Sequence, residues 1–471
     1  MPVPILSVAQ MRDWERSTWA AGQTEAAVIA RVGEHLAQHA LSMTRGGDSI
    51  LILAGRGHNG DDARAMLPHL AGREVETILI DDAKTGLPQV VCALARQPGL
   101  IVDGLFGVGL SRDLDVDWQS LIRLVNEARR KVLAIDVPSG LDAESGRPRP
   151  EAIRASVTVT VGAPKIGMLS VEAAELVGRL EVAADVGLVA CPVRSDLEWT
   201  QAEDFLAFPP ERGMGSHKGT FGHVAVVAGS LGYHGAAVLA ARGAQRARPG
   251  LITLFTQRES YAPVAAQLQS VMVHPWDGGL EQARFTAALF GPGLAAANLP
   301  PSLQGAFVAV WTQFSGPVVV DASALDWLPP GTVVPGCRVI TPHPGEAARL
   351  LGRTVAEVQS DRPGAVRELS KRFGNCWVVL KGHQTLIGRE SGEILVNSTG
   401  NAGLAQGGSG DLLAGFITGW LAQPELQKDV LTALRYAVWE HGAAADRLGE
   451  QRKNWIIEEL ADELGRGVAT E

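Results

Sequence analysis

Short apolar runs of strand length alternate with amphipathic, helix-length segments along almost all of these 471 residues. In the first half, Ser49–Ala54, Val75–Ile80, Leu100–Asp103, Val132–Val137 and Val157–Val161 read as buried strands. Between them lie stretches such as Asp117–Arg130, with Leu121, Ile122, Leu124 and Val125 on one helical face. Residues before about Leu41 read as helical. A second series begins at His223–Ala228, with strands expected at Leu251–Thr256, Ala288–Gly291, Val318–Asp321, Arg338–Thr341 and Cys376–Lys381. Long helices are expected at Ala236–Arg248, Asp411–Leu421 and Asp429–Leu448. Strands that alternate with helices imply mostly parallel sheets covered on both faces, so the fold class is α/β. The chain is too long for one ordinary core, so two domains are expected. The alternation breaks between about Val189 and Lys218, where Phe208-Pro209-Pro210-Glu211-Arg212-Gly213 is the best candidate linker. The expected domains are 1–200 and 201–471.

Composition narrows the partners. A net charge of −9 argues against a nucleic-acid or anionic-membrane surface. An anionic substrate would then need local positive features, such as helix N-termini or a few lysines. Cys92, Cys191, Cys337 and Cys376 are far apart and form no CxxC pair, which suits reduced thiols in a cytoplasmic protein. Met1-Pro2-Val3-Pro4 has neither the basic flank nor the apolar core of a signal peptide. No apolar run reaches membrane-spanning length.

The most informative stretch for chemistry is Gly400-Asn401-Ala402-Gly403-Leu404-Ala405-Gln406-Gly407-Gly408-Ser409-Gly410-Asp411. It runs into the apolar, helix-like Leu412–Ile417. A glycine-rich turn feeding a helix start leaves several backbone N–H groups unpaired and pointing at one spot. Such a spot suits a phosphate, and Asp411 places a carboxylate beside it. An anion hole with a base is the minimum for moving a phosphoryl group onto a hydroxyl. The stretch does not fit the Walker pattern, and glycine-rich turns before helices also occur without a ligand.

Four more polar or glycine-rich clusters fall at expected strand ends, where open parallel sheets gather ligands. These are Gly229-Ser230, Gly291-Pro292-Gly293, Thr341-Pro342-His343-Pro344-Gly345-Glu346 and Lys381-Gly382-His383-Gln384-Thr385. Singly, His343 is also readable as a turn residue and Lys381 as a solvated strand-end lysine. Convergence of all five clusters on one sheet edge is what a nucleotide and its co-substrate would require.

Together with His217-Lys218-Gly219 and Gly235-Ala236-Ala237, these pieces make residues 216–449 resemble the ADP/ATP-dependent NAD(P)H-hydrate dehydratases, which have a ribokinase-like three-layer sandwich. The resemblance implies that ADP or ATP, with magnesium, phosphorylates the ring hydroxyl of hydrated NADH or NADPH and that phosphate then leaves. It implies that Asp411 accepts the hydroxyl proton and that the N–H groups of Gly408, Ser409 and Gly410 stabilise the moving phosphoryl group. Lys381, Gly382, His383, Gln384, Thr385 and Gly410 would contact the nucleotide. Ala236, Gly293, His343 and Asp411 would contact the hydrated dinucleotide. Ser409 stands where family members usually carry methionine. The competing class is a ribokinase-like kinase for a vitamin precursor or sugar, with a non-catalytic dinucleotide-binding first half.

In the first half, Gly55-Arg56-Gly57-His58-Asn59-Gly60-Asp61-Asp62 follows a strand and leads into a helix, as a phosphate-binding loop does. Asn59, Asp103 and Ser139 lie at three strand ends and offer oxygen ligands of the kind hard cations prefer. They are also readable as capping and turn residues. With Ala9-Gln10-Met11-Arg12, Asp103–Leu110, Asp136-Val137-Pro138-Ser139-Gly140 and Ala163-Pro164-Lys165, this half resembles the NAD(P)H-hydrate epimerases, of Rossmann-like three-layer fold with a potassium ion near the substrate. By position, Asn59, Asp103 and Ser139 would bind potassium. His58, Asn59, Gly60, Asp61 and Asp62 would line the dinucleotide site, together with Gly107, Val108, Gly109, Leu110, Ser111, Arg112, Asp113 and Asp136. Asp136 and Lys165 are proton-transfer candidates. Asp61 and Ala63 stand where the family loop has glycines, which predicts weakened epimerase activity through a crowded pyrophosphate cradle. The resemblance also implies self-association.

Overall fold

The computed structural model describes residues 2–110, 112–331 and 336–466. The chain divides into two compact units, Val3–Asp196 and Leu197–Glu471 with Met1–Pro2.

The first unit is built on a six-stranded parallel sheet in the spatial order Glu74–Leu79, Ser49–Ala54, Leu100–Gly104, Lys131–Ile135, Val157–Val161, Arg179–Ala183. Side chains alternate across a strand, so Ser49–Ala54 feeds two cores. Ile50, Ile52 and Ala54 pack with Val28, Val32 and Leu36 of helix Glu25–Met43. Leu51 and Leu53 pack with Val90, Leu121, Ile122 and Val125 of helices Ala83–Leu94 and Val116–Glu127 on the opposite face. The result is the expected three-layer Rossmann-like sandwich. Its edge strand Arg179–Ala183 escapes the sequence reading because it is short and half polar.

In the second unit, parallel strands run in the order Met272–Pro275, Leu251–Thr256, His223–Val227, Ala287–Phe290, Val318–Val320, Arg338–Ile340, Trp377–Leu380. Leu386–Gly388 and Ile394–Val396 extend the sheet antiparallel. Helices His234–Arg246, Ser409–Leu421 and Val430–Gln451 cover one face with an almost continuous apolar layer. Helix Pro301–Gln313 carries Phe307, whose ring meets Phe290 edge-on at 5.4 Å. This is the ribokinase-like three-layer arrangement.

The candidate linker is corrected in part. Leu197–Trp199 is a strand paired with Ile394–Val396, and Thr200 N–H continues the ladder to the Val396 carbonyl at 2.9 Å. Phe205 and Phe208 pack against Tyr436, Trp439 and Trp420, which holds the segment up to Phe208 onto the second unit. Its prolines read as a linker, but its aromatic residues find a core. Among the described residues, no helix is long and apolar enough to cross a membrane.

Two helices of the second unit cross at backbone contact distance. A Cβ at Gly415 would lie 1.8 Å from the Ala240 carbonyl oxygen, and one at Gly243 would lie 2.1 Å from the Leu412 carbonyl oxygen. Neither oxygen can retreat without breaking its helix. Gly415→Val is therefore expected to destabilise the protein by about 1–3 kcal/mol or more through overpacking, read as a lower midpoint in urea unfolding. An unchanged midpoint would show that the helices separate freely.

Candidate active sites

The second-unit site forms at the carboxyl ends of its parallel strands. Gly408 adopts φ 95°, the left-handed conformation that turns the chain into helix Ser409–Leu421. No side chain caps this helix. Ser409 N–H turns back to the Gln406 carbonyl at 3.4 Å, which leaves the N–H groups of Gly410 and Asp411 for a ligand. Upstream, Asp446 anchors the glycine-rich stretch by accepting from Gly400 N–H at 2.9 Å and from the Asn401 amide at 3.0 Å.

Four charged groups meet beside this turn. Lys381 Nζ donates to Asp321 Oδ1 at 2.7 Å and lies 3.9 Å from Glu346 Oε2. Thr341 Oγ1 also donates to Asp321 Oδ1, at 2.7 Å. A Cβ on Gly410 would sit 3.0 Å from Lys381 Nζ, so glycine there keeps the space between helix start and lysine open. Burial pushes the Asp411 carboxyl up to about 6; the Asp321 and Glu346 charges push the same way and Lys381 opposes them. At neutral pH Asp411 is thus mostly ionised but close to its pKa, which suits a general base. His441, on helix Val430–Gln451, is buried with its Nε2 unpartnered, and burial depresses its pKa to about 4.

The structure brings most of the expected residues together. Ala236 and Gly293 are adjacent, since a Cβ on Gly293 would lie 2.9 Å from the Ala236 Cβ. Ser230 Oγ ties the two neighbouring loops by donating to the Gly293 carbonyl at 2.6 Å. His343 caps helix Pro344–Leu351: its Nδ1 accepts from Gly345 N–H at 3.0 Å, and Glu346 reciprocates by accepting from His343 N–H at 2.8 Å. His343 is thus a helix-capping residue, and its Nε2 lies 3.6 Å from Glu346 Oε1. The Lys381–Thr385 loop needs a residue that sequence reasoning missed. Arg362 is buried and donates to the carbonyls of His383 at 2.7 Å and Gln384 at 3.2 Å. The Gln384 side-chain oxygen is buried without a partner. Asp321 carries the same sequence signal as Asp103, an acid closing a strand. Arg362 carried none, because its partners are about 20 residues away along the chain.

The first unit contains a cavity of about 620 Å³. His58, Asn59, Asp62, Gly107, Val108, Gly109, Leu110, Arg112, Asp136 and Lys165 all line it. Asp136 has φ 61°, a strained conformation for a residue with a Cβ. Lys165, fully buried, donates to Asp136 Oδ1 at 2.5 Å and to Thr160 Oγ1 at 2.9 Å. Asp62 is also buried and its pKa is pushed up to about 8, by burial first and then by Asp136, Asp61 and Glu15. Glu15, from helix Val8–Ala20, lines the cavity too and was not anticipated.

Asp103, Ser139 and Asn59 form one network behind this wall. Asp103 is fully buried and accepts from Ser139 Oγ at 2.6 Å and Ser139 N–H at 2.8 Å. Asn59 donates to the carbonyls of Phe106 and Ile135 at 2.9 and 3.0 Å. A Cβ on Gly107 would lie 2.9 Å from Asn59 Oδ1, which leaves that oxygen facing the loop.

Three expected residues lie elsewhere. Gly60 packs beneath the loop, where a Cβ would meet the Gly55 carbonyl oxygen at 1.9 Å. Asp113 is exposed, 3.9 Å from Arg149. Asp61 pairs with Arg64 one turn along its helix and is not part of the cavity lining. Arg64 pairs with that charge, which still pushes up the pKa of the neighbouring Asp62 in the cavity wall. Ala63 is fully buried, close against Gly104. Ser111 lies outside the described residues.

Removing Lys165 would leave Asp136 as a buried, unpaired charge. Lys165→Met is expected to cost about 3–5 kcal/mol, and Asp136→Asn in the same chain should recover part of it. Urea unfolding of the single and double variants measures both, and additive effects would rule out the coupling.

Two family models match the chain: one described as NAD(P)H-hydrate dehydratase over residues 224–466, and one described as YjeF-related protein N-terminus over residues 77–167. The bifunctional NAD(P)H-hydrate repair enzyme of Coxiella burnetii is 33% identical, with 94% of each chain covered. The ADP-dependent (S)-NAD(P)H-hydrate dehydratase of Neisseria meningitidis serogroup B is 42% identical over 51% of this chain and 81% of its own. A solved Bacillus subtilis ADP/ATP-dependent NAD(P)H-hydrate dehydratase, co-crystallised with ATP and Mg2+, is 35% identical, with a TM-score of 0.50 over 55% of this chain and 92% of that one. By coverage and identity, the chain belongs to the family of bifunctional NAD(P)H-hydrate repair enzymes.

Proposed function

We propose that this chain repairs hydrated NADH and NADPH in two steps, epimerising the hydrate in its first unit and dehydrating it in its second. The observation that carries the dehydratase reading is the uncapped start of helix Ser409–Leu421, with Asp411 in its first turn and Lys381 beside it. Hydroxide is a poor leaving group, and phosphate a good one. Asp411 takes the proton of the ring hydroxyl, and the freed oxygen attacks the terminal phosphorus of ADP or ATP. The bond from that phosphorus to the nucleotide breaks while the helix N–H groups hold the developing charge. Phosphate then departs with the C–O electrons, the adjacent ring carbon gives its proton to the departing phosphate or to water, and the C–H electron pair restores the double bond.

The nucleotide reading of Lys381–Thr385 rests on the loop shape that Arg362 fixes and on the buried, unpartnered Gln384 side-chain oxygen. Magnesium fits the oxygen donors here: Asp321 and Glu346 would hold it with the nucleotide phosphates. When bound it would neutralise charge on the transferring group.

Potassium fits the Asn59, Asp103 and Ser139 oxygens, because Asp103 is a fully buried carboxylate faced by N–H and O–H donors alone. When bound it would hold Asp103 ionised and fix the Phe106–Gly107 loop against the substrate. In the cavity, Asp136 takes the hydroxyl proton as the ring carbon–nitrogen bond opens to a carbonyl. The nitrogen takes a proton from Lys165. On closure at the other carbonyl face the nitrogen returns that proton to Lys165 and the oxygen regains one from Asp136, giving the other epimer. Self-association is part of the same reading.

Asp411→Asn should lower kcat for nucleotide-dependent recovery of nicotinamide absorbance by about 10²–10⁴-fold; full activity in this variant would refute the role of Asp411 as base. In the wild type, kcat/KM should fall as pH drops below about 6, where Asp411 takes up its proton. Asp321→Asn removes a like charge, so the acid limb of that profile should move to lower pH.

Thermal melts test the potassium site. Burial raises the Asp103 pKa to about 6 from 3.8. Without a cation the native state therefore holds this proton longer than the unfolded chain, and stability is lost as pH rises from about 4 through 6. Potassium chloride should raise the Tm at pH 8 more than lithium chloride does. Asp103→Asn should abolish the difference, and equal Tm values in both salts for the wild type would argue against the site.

A further inference from the structure

The first-unit loop carries a pattern that catalysis does not use. Gly55-Arg56-Gly57-His58-Asn59-Gly60 reads Gly-x-Gly-x-x-Gly between strand Ser49–Ala54 and helix His58–Ala65. Gly57 is the N-cap and supplies no side-chain cap, and Gly60 lets the helix seat against the Gly55 backbone. In dinucleotide-binding folds of this kind, an acid at the end of the next strand, about 20 residues on, meets the ribose 2′-hydroxyl. Asp81 occupies that place. Strand Glu74–Leu79 pairs in register with Ser49–Ala54, and Ile80 N–H continues the pairing to the Ala54 carbonyl at 2.9 Å. Asp81 thus lies beside the Gly55–Arg56 turn. Its neighbour Asp82 is already engaged, accepting from Thr85 N–H at 3.1 Å as a helix cap.

Asp81 is not alone at this corner. Arg56 Nε lies 3.0 Å from Asp81 Oδ1, and both residues line the 620 Å³ cavity together with Asn59 and Asp136. Both side chains are more than half exposed, so the pair is weak and opens readily. An acid and an arginine together can serve two ligands. The carboxylate accepts from a 2′-hydroxyl. The guanidinium, turned from Asp81, pairs with a 2′-phosphate through charge-assisted bonds.

We propose that the Arg56–Asp81 pair reads the adenosine-ribose 2′ substituent of the hydrate and lets one cavity accept both NADH hydrate and NADPH hydrate. This rests on the dinucleotide reading of the cavity given above. Asp81 favours the hydroxyl form, Arg56 the phosphate form, and their mutual pairing keeps either preference small.

The test is isothermal titration of the full chain with NADH and with NADPH, for wild type, Asp81→Asn and Arg56→Gln. These substitutions touch only the first-unit cavity, so any change in the affinity ratio arises there. Asp81→Asn should shift the ratio toward NADPH, and Arg56→Gln toward NADH, each by about tenfold. Ratios unchanged within about twofold in both variants would overturn the proposal. Epimerisation of each hydrate, measured alongside, separates the two levels. Variant-dependent ratios in a wild type that epimerises neither hydrate would support the proposal and reject the epimerase reading.

Discussion

The second unit depends on two helices approaching closer than side chains normally allow. Gly243 on helix His234–Arg246 and Gly415 on helix Ser409–Leu421 each face a carbonyl oxygen of the partner helix. Gly419 continues the seam, where a Cβ would lie 2.6 Å from the Ala247 Cβ and 2.7 Å from the Ala244 carbonyl oxygen. Absence of Cβ atoms along this seam fixes the second helix in both depth and direction. Its first turn then has one permitted position, and the site is assembled around it. Ala236 comes from the first turn of the partner helix, Gly293 from the loop touching Ala236, and Lys381 from a strand end facing Gly410. A few ångströms of helix separation would leave the same residues present but unable to converge.

Electrostatics completes what packing begins. The chain is acidic as a whole, yet each site supplies positive character locally. In the second unit it comes from unpaired helix N–H groups and one lysine held between Asp321 and Glu346. In the first it comes from an uncapped helix start and the buried Lys165. The buried carboxylates are in turn kept near neutral pH by desolvation, as with Asp411 and Asp62. Groups poised in this way exchange protons at little cost, and a water-accessible carboxylate could not be tuned so far.

Sequence carried the local features and lost the long-range ones. Ser49–Ala54, Val157–Val161 and Leu251–Thr256 coincide with observed strands because each is a buried β-branched or leucine-rich run bounded by turn residues. Leu386–Gly388 and Ile394–Val396 were invisible because three residues cannot establish a period. Glycine-rich turns and strand-closing acids marked the sites, since their function lies in the local backbone. Arg362 and Glu15 were not legible, because their importance arises only when distant segments meet. Asp61 shows a further gap: position alone gave its charge, but not the pairing with Arg64 one turn along the helix.

Repair of the whole hydrate pool requires that one chain carry two working sites whose activities follow in sequence. A single progress curve tests it most directly: nicotinamide absorbance regained from a mixed-epimer NADH hydrate with excess ATP and magnesium. Two working sites predict recovery of the whole hydrate pool, its later part faster than spontaneous epimerisation permits. A curve that stops at the directly usable epimer, and then rises only at the spontaneous rate, would contradict it.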